Sequence, residues 1–387
     1  MPSPLVPRLR PFASTIFAEV SALAASTGAI NLGQGFPDTD GPAAMLEVAR
    51  DAIASGVNQY PPGPGTPELR AAIAGSRARF GTPYDPDTEI LVTVGATEGI
   101  AAALVALVER GDEVVLFEPY YDSYAASVAM AGATRVVLPL EQQESGRFAL
   151  PVEALRAAIT PRTKAIVVNT PHNPTGSVFT TEELTALAEV CVRHDLVAIT
   201  DEVYEDLLFD GRAHVPLASL PGMAERTLTV SGAGKSYNCT GWKIGWVCGP
   251  AELVAAVRAA KQFMTFVAGA PFQPAVAHAL RNERAWVAGL RDSLADKRTR
   301  LSAGLAAAGF GVSQTEGTYF VCADIRPLGH TDGVEFCYAL PGSAGVAAVP
   351  VQVFTDHPEN WKHLVRFAFC KKDEVLDEAI SRLTKLG

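Results

Sequence analysis

The stretch Thr227-Leu-Thr-Val-Ser231-Gly-Ala-Gly-Lys235-Ser-Tyr-Asn-Cys-Thr-Gly-Trp-Lys243-Ile-Gly-Trp246 decides how the rest of the chain is read. Its β-branched start, Thr227 to Val230, reads as a buried strand. A turn of small residues follows and ends on Lys235. A second cation, Lys243, opens another strand-like segment that runs to Cys248. A lysine on a tight Gly-rich turn at a strand's carboxyl end suits covalent chemistry, because its amine can be held, partly desolvated, against a carbonyl. Gly-Ala-Gly-Lys-Ser is superficially like a phosphate-binding P-loop. That motif requires a glycine five residues before its second glycine, and Thr229 stands there. The run Leu196-Val-Ala-Ile-Thr-Asp201-Glu202, a candidate magnesium-binding strand of such an ATPase, precedes the loop instead of following it. A plain surface turn with a solvated lysine is the remaining alternative, and motifs elsewhere must decide against it.

Working outward, composition sets the bounds. A chain of 387 residues is long enough for two domains or one large one. Its 48% hydrophobic and 19% charged content suits a soluble globular enzyme. A net charge of −10 argues against nucleic acid or an anionic membrane as partner. No run reaches transmembrane length without Gly, Pro or charge. The N-terminal Met-Pro-Ser-Pro-Leu-Val-Pro has no apolar signal-peptide core. The six cysteines form no C-x-x-C pair, which predicts buried, reduced thiols in a cytoplasmic protein. The seven histidines show no metal-ligand spacing, so no metal is expected.

From Glu89 onward a rhythm appears. Apolar runs at 90–94, 113–117, 134–138, 164–168, 196–200, 226–230 and 244–248 alternate with helical stretches. The runs are apolar throughout, not alternating, which predicts a mostly parallel seven-stranded sheet covered by helices on both faces. Ligands of such sheets sit at the strands' carboxyl ends. The residues there are Gly95-Ala96-Thr97, Glu118-Pro-Tyr-Tyr121, Asn169 to Gly176, Asp201 to Tyr204 and Ser231 to Lys235. Before this α/β region lie an irregular arm with one helix (16–25), the Gly33-Gln-Gly35-Phe-Pro turn, helices at 42–55 and 67–80, and the stiff loop Asn58-Gln-Tyr60-Pro-Pro-Gly-Pro-Gly65. After about residue 275 come a long helix (283–308), short strands at 318–323 and 346–349, the run Leu364-Val-Arg366-Phe-Ala-Phe369, and an amphipathic helix at 373–386. The fold class is therefore α/β, divided as arm 1–40, large domain 41–279 and small α/β domain 280–387, with the arm joining the small domain because termini often lie close together.

Six motifs in this order carry a resemblance: Asn31-Leu-Gly-Gln-Gly-Phe-Pro-Asp38, Asn58-Gln-Tyr60, Asn169 to Gly176, Asp201-Glu-Val-Tyr204, Lys235 to Trp246, and Val365-Arg366-Phe-Ala-Phe369. The chain resembles the fold-type I pyridoxal-phosphate aminotransferases of class I/II. Its pattern is most similar to the subgroup holding kynurenine, glutamine and methionine aminotransferases and the actinobacterial N-succinyldiaminopimelate aminotransferases. The resemblance spans essentially the whole chain. It implies pyridoxal 5′-phosphate as cofactor, with Lys235 as the lysine that binds its aldehyde and later carries the substrate's proton. Asp201 would pair with the pyridine nitrogen and keep the ring an electron sink. Tyr204 and Asn173 would donate to the phenolate oxygen, and Tyr121 would stack on the ring. Gly95, Ala96 and Thr97 at a helix N-terminus, with Ser231 and Lys243, would hold the phosphate. Tyr60 resembles the tyrosine that reaches the partner's phosphate in a homodimer with shared sites. Arg366 would take the substrate α-carboxylate bidentately, with Gly35 and Asn173 assisting.

Two positions depart from the family's pattern. Gly232 stands where a hydroxyl residue usually contacts the phosphate, so Ser231 compensates or a hydrogen bond is lost. Gln352 stands where small residues are usual, and would either bond a polar substrate or face solvent. The implied reaction is amino transfer between an L-amino acid (N-succinyldiaminopimelate, kynurenine or a methionine-like donor) and a 2-oxo acid. The alternative keeps the cofactor and changes the bond broken: a C–S β-lyase, or a β/γ-replacement or cyclisation enzyme.

Overall fold

A computed structural model describes residues 4–13 and 15–386. The start of the arm at residues 1–3 lies outside the described residues. Seven strands form the main sheet: β1 (Ile90–Val94), β2 (Glu113–Glu118), β3 (Thr134–Pro139), β4 (Thr163–Asn169), β5 (Val197–Asp201), β6 (Thr227–Gly232) and β7 (Ile244–Cys248). Their order is β1-β7-β6-β5-β4-β2-β3. Only β7 runs against its neighbours, pairing antiparallel with both β1 and β6. The sheet is thus mostly parallel, as its unbroken apolar runs predict.

Alternate residues of these strands serve opposite faces. Val114 and Leu116 pack with Val167, Ile199 and Val230 against the helix Gly95–Leu107. Val115 and Phe117 pack with Ile166, Val168 and Ala198 against the helix Thr181–His194. That second helix starts at a capping box, in which Thr180 accepts from the Glu183 N–H and the Glu183 carboxylate accepts from the Thr180 N–H. Burial on both faces is why no polar alternation is visible in the sequence of these strands.

A second sheet is built from β8 (Gly311–Val312), β9 (Phe320–Asp324), β10 (Val349–Pro350) and β11 (Leu364–Ala368), ordered β8-β9-β11-β10. The strand expected over 346–349 is split in two. Residues Val346–Ala347 pair in parallel with Ile30–Asn31, and Val349–Pro350 join β11. The arm is thereby hydrogen-bonded to the C-terminal part of the chain. The helix Arg284–Ala307 and the terminal helix Asp373–Leu383 back this sheet through Leu301, Leu305, Leu376 and Leu383. All six cysteines are buried and unpaired. Among the described residues no helix is long and apolar enough to cross a membrane.

The two sheets are fastened next to the strand ends. Glu118, wholly buried at the end of β2, accepts from the N–H groups of Asp356 (2.7 Å) and His357 (3.2 Å) and from Trp361 Nε1 (3.2 Å). The Tyr120 N–H donates to the Phe354 carbonyl at 2.9 Å. These bonds draw the loop around Phe354 toward the carboxyl edge of the main sheet. Gln352, in the same loop, is half-buried and turns its amide to a neighbouring helix start. Its Oε1 accepts from the Gly333 N–H at 3.1 Å and its Nε2 donates to Asp332 at 3.3 Å. Asp332 caps the helix Gly333–Ser343, so Gln352 is a tie between loop and cap.

Candidate active site

A cavity of about 270 Å³ opens at the carboxyl ends of the main strands. Its first wall is the junction of β1 with the helix Gly95–Leu107. Gly95 adopts φ of +73°, a conformation that suits glycine, and a Cβ there would stand 3.1 Å from Lys243 Nζ. Gly245 in β7 lets the junction close, since a Cβ there would lie 2.5 Å from the Gly95 carbonyl carbon. The N–H groups at the start of this helix and the ammonium of Lys243 thus share one corner, a ready anion site. Thr97 and Thr240 also line the cavity.

Opposite sits Asp201, the last residue of β5. It is 5% exposed, and its Oδ2 accepts from the Tyr124 hydroxyl at 2.6 Å. Burial raises its pKa, while Tyr124, the Val203 N–H and the positive charge of Lys235 oppose that rise. Asn169 braces the strand end by donating to the Asp201 carbonyl at 2.8 Å, and its Oδ1 accepts from the Asn173 N–H at 2.7 Å. Tyr204 is buried beside Asp201, and burial pushes its phenol well above the usual range.

Lys235 stands on the one-turn helix Ala233–Ser236 that follows β6. Its pKa is lowered to about 8, first by burial, with Arg366 and Lys243 acting in the same direction and Asp201 against it. The amine donates to the Tyr319 hydroxyl at 2.9 Å. Arg366, in the middle of β11, is 1% exposed. Its guanidinium donates to Asn173 Oδ1 at 3.0 Å and to the Gly33 carbonyl at 2.8 Å. The ring of Phe320 lies 4.0 Å from it, and those of Phe17 and Phe354 lie 5.4 Å away. Arg366 Nε is buried and makes no hydrogen bond.

The cavity gathers Gly35, Gly95, Ala96, Thr97, Tyr121, Asn173, Asp201, Tyr204, Lys235, Lys243 and Arg366. Two sequence-derived candidates lie outside it. Ser231 points to the other face of β6, as strand alternation requires. Its hydroxyl donates to Glu205 Oε1 at 3.2 Å, and Gly232 lines the cavity instead. Ser231 therefore does not replace the missing hydroxyl. Tyr60 is 80% exposed and touches Phe266 edge-on, 5.4 Å between ring centres. Sequence reasoning missed Tyr124, Thr240 and Phe320 as cavity residues, and placed Asn169 at a strand end without giving it a role. Phe17 and Phe36 line the cavity with Tyr121, and Tyr319 stands behind it.

Beneath the site Glu202, Glu205 and His214 come close enough to share an ion. Arg77 fills that place: it bonds Glu202 at 2.8 Å and also Glu205, and His214 meets Glu202 at 2.8 Å. Burial would raise the Glu202 carboxyl, but Arg77 and His214 hold it down at about 2.

These residues fit pyridoxal phosphate as a group: an anion corner at one end, a buried carboxylate at the other, an amine between them and Tyr121 beside them. The guanidinium of Arg366 lines the same cavity and has N–H groups beyond the two that are engaged. An anion corner, a desolvated amine and a guanidinium in one cavity suit a carbonyl-bearing phosphate ester and an amino acid. The chain belongs to the aminotransferase class I and II family, whose model it matches over residues 27–383. It is a pyridoxal-phosphate-dependent aminotransferase of fold type I. Over 99% of its length it is 62% identical to a probable N-succinyldiaminopimelate aminotransferase of Mycobacterium tuberculosis, of which 98% is covered. A solved structure of the N-succinyldiaminopimelate aminotransferase from that organism superposes with a TM-score of 0.97, covering 99% of this chain and all of the other. A methionine aminotransferase of Escherichia coli is 39% identical over 99% of both chains.

Proposed function

We propose that this chain uses N-succinyldiaminopimelate, or an amino acid of the same long, acidic kind, as amino donor to a 2-oxo acid. The observation that carries the reading is the 62% identity over nearly the whole chain with a relative of that name. In this reading Lys235 binds the cofactor aldehyde and Asp201 pairs with its ring nitrogen. Gly95, Ala96, Thr97 and Lys243 hold its phosphate, Tyr121 covers its ring, and Tyr204 and Asn173 flank its hydroxyl. When bound, the cofactor supplies an electron-withdrawing ring. The chain's own residues bind, orient and move a proton. Arg366 takes the α-carboxylate with Gly35 and Asn173 beside it, and Lys235 Nζ carries the proton taken from the α-carbon. Residues 41–279 act as the cofactor-binding domain, and 280–387 with arm 1–40 as the smaller one.

We also read the enzyme as a cytoplasmic homodimer. Tyr60, Phe263, Met264 and Phe266 form an apolar patch, with Phe263 87% exposed, and Tyr60 would complete the partner's phosphate site. The test is the visible absorption of the holoenzyme as amino acids are added singly. Loss of the cofactor band with one donor, and its return with a 2-oxo acid, is the expected result. Bleaching by methionine or kynurenine alone would move the donor assignment. Bleaching that no 2-oxo acid reverses would overturn amino transfer in favour of bond-breaking chemistry on the same scaffold.

A further inference from the structure

Lys235 is held from behind by a residue that lines no part of the cavity. Tyr319 immediately precedes β9 and is 1% exposed. Its hydroxyl donates to the Gly35 carbonyl at 2.5 Å. A hydroxyl has one hydrogen, and the short contact to Gly35 takes it in preference to the Tyr204 hydroxyl, which also lies within reach. What Tyr319 turns toward Lys235 Nζ, 2.9 Å away, is therefore a lone pair. The only other hydrogen bond of Nζ among the described residues is a long one, 3.5 Å, to the same Gly35 carbonyl. Both of its acceptors thus lie on one side.

The ring of Tyr319 has little freedom to turn away. It crosses the Tyr204 ring at 90° with centres 5.3 Å apart, and the Phe320 ring at 4.8 Å. Its carbonyl accepts from the Phe369 N–H at 2.9 Å. Gly35 is packed as closely: a Cβ there would stand 2.4 Å from Phe320 Cζ. The acceptor pair is consequently set by the packing of the second sheet against the arm, not by the loop that carries Lys235.

We propose that Tyr319 is a positioning residue for Lys235: committed as a donor to Gly35, it can only accept from the ε-amine, and so turns the nitrogen lone pair toward the cavity. The inference rests on the aminotransferase reading of Lys235. A neutral amine has two hydrogens and one lone pair. With both hydrogens drawn toward Tyr319 and Gly35, the lone pair faces the bound substrate. The proton leaves the α-carbon for Nζ, and the C–H electron pair stays on the carbon. Burial, which lowers the lysine to about 8, keeps a useful share of the amine neutral near neutrality.

The test compares the full-length wild type with Tyr319→Phe, which removes one oxygen. The first readout is the pH dependence of Lys235 labelling by trace acetic anhydride, read by peptide mass spectrometry before pyridoxal phosphate is added. Loss of an acceptor disfavours the ammonium form, so the labelling pKa should fall by about one unit. The second, on the holoenzyme, is a kcat about tenfold lower with a larger isotope effect from α-deuterated donor and a KM changed less than twofold. A purely structural role would lower melting temperature or cofactor uptake and leave both readouts at their wild-type values; that result overturns the proposal. If Tyr319→Phe does not fold, 3-fluorotyrosine at position 319 offers a weaker acceptor of the same shape, with a shift in the same direction expected and no shift refuting. Labelling needs neither donor nor 2-oxo acid. A failure of the aminotransferase reading would instead show in the wild type's absorption cycle.

Discussion

Replacing Arg366 with lysine keeps a positive charge in β11 and removes the fork. In the native protein Nη1 of the guanidinium donates to Asn173 Oδ1 and Nη2 to the Gly33 carbonyl, and each keeps a second N–H for a ligand. The face of Phe320, 4.0 Å away, matches its plane. An ammonium cannot hold both acceptors and a bidentate carboxylate at once. Losing one charge-assisted hydrogen bond to the substrate costs about 1.5–3 kcal/mol. At 1.4 kcal/mol per tenfold, that is roughly a 10- to 150-fold weaker donor. The donor Kd is read from the cofactor absorption of the holoenzyme in the absence of a 2-oxo acid. The control is the donor's decarboxylated amine, which has nothing for Arg366 to hold. Wild type should already bind that amine weakly, and Arg366→Lys should change its affinity by less than threefold. If the variant weakens amine and amino acid equally, or neither, Arg366 does not read the α-carboxylate.

Further outcomes follow from the same geometry. Lys235 is lowered in the folded chain from 10.5 to about 8. Between those values the unfolded chain binds more protons, so the cofactor-free protein should gain stability as pH rises from about 8 to 10.5. Lys235→Met should lose that slope in denaturant titrations. Arg77→Met leaves Glu202 and Glu205 buried without their guanidinium and should cost about 3–5 kcal/mol, seen as a lower urea midpoint at unchanged m-value. Adding Glu202→Gln and Glu205→Gln should recover much of it. Tyr60→Ala and Lys235→Ala chains, each impaired alone, should regain activity when mixed and refolded together, because a shared interface leaves one intact site in two. Mixtures no better than their components would count against Tyr60 serving its partner.

Local sequence carried much of the design. Apolar β-branched runs locate all seven main strands, because a strand buried on both faces admits little else. Lys235, Asp201 and Arg366 are legible since each follows or interrupts such a run with a charge that a core would not tolerate without a task. Facing and partnership were decided by tertiary structure alone. Ser231 and Gly232 are neighbours in sequence, yet strand alternation sends the hydroxyl to Glu205 and leaves the glycine in the cavity. Gln352 is drawn to the cap at Asp332, a residue 20 positions away. Tyr124 reaches Asp201 across 77 positions and Tyr319 reaches Lys235 across 84. An aromatic side chain reads the same in sequence whether it fills a core or offers its hydroxyl to a buried charge. Only the packing of the two sheets, which brings distant hydroxyls to within hydrogen-bonding distance of a desolvated amine or carboxylate, separates the two.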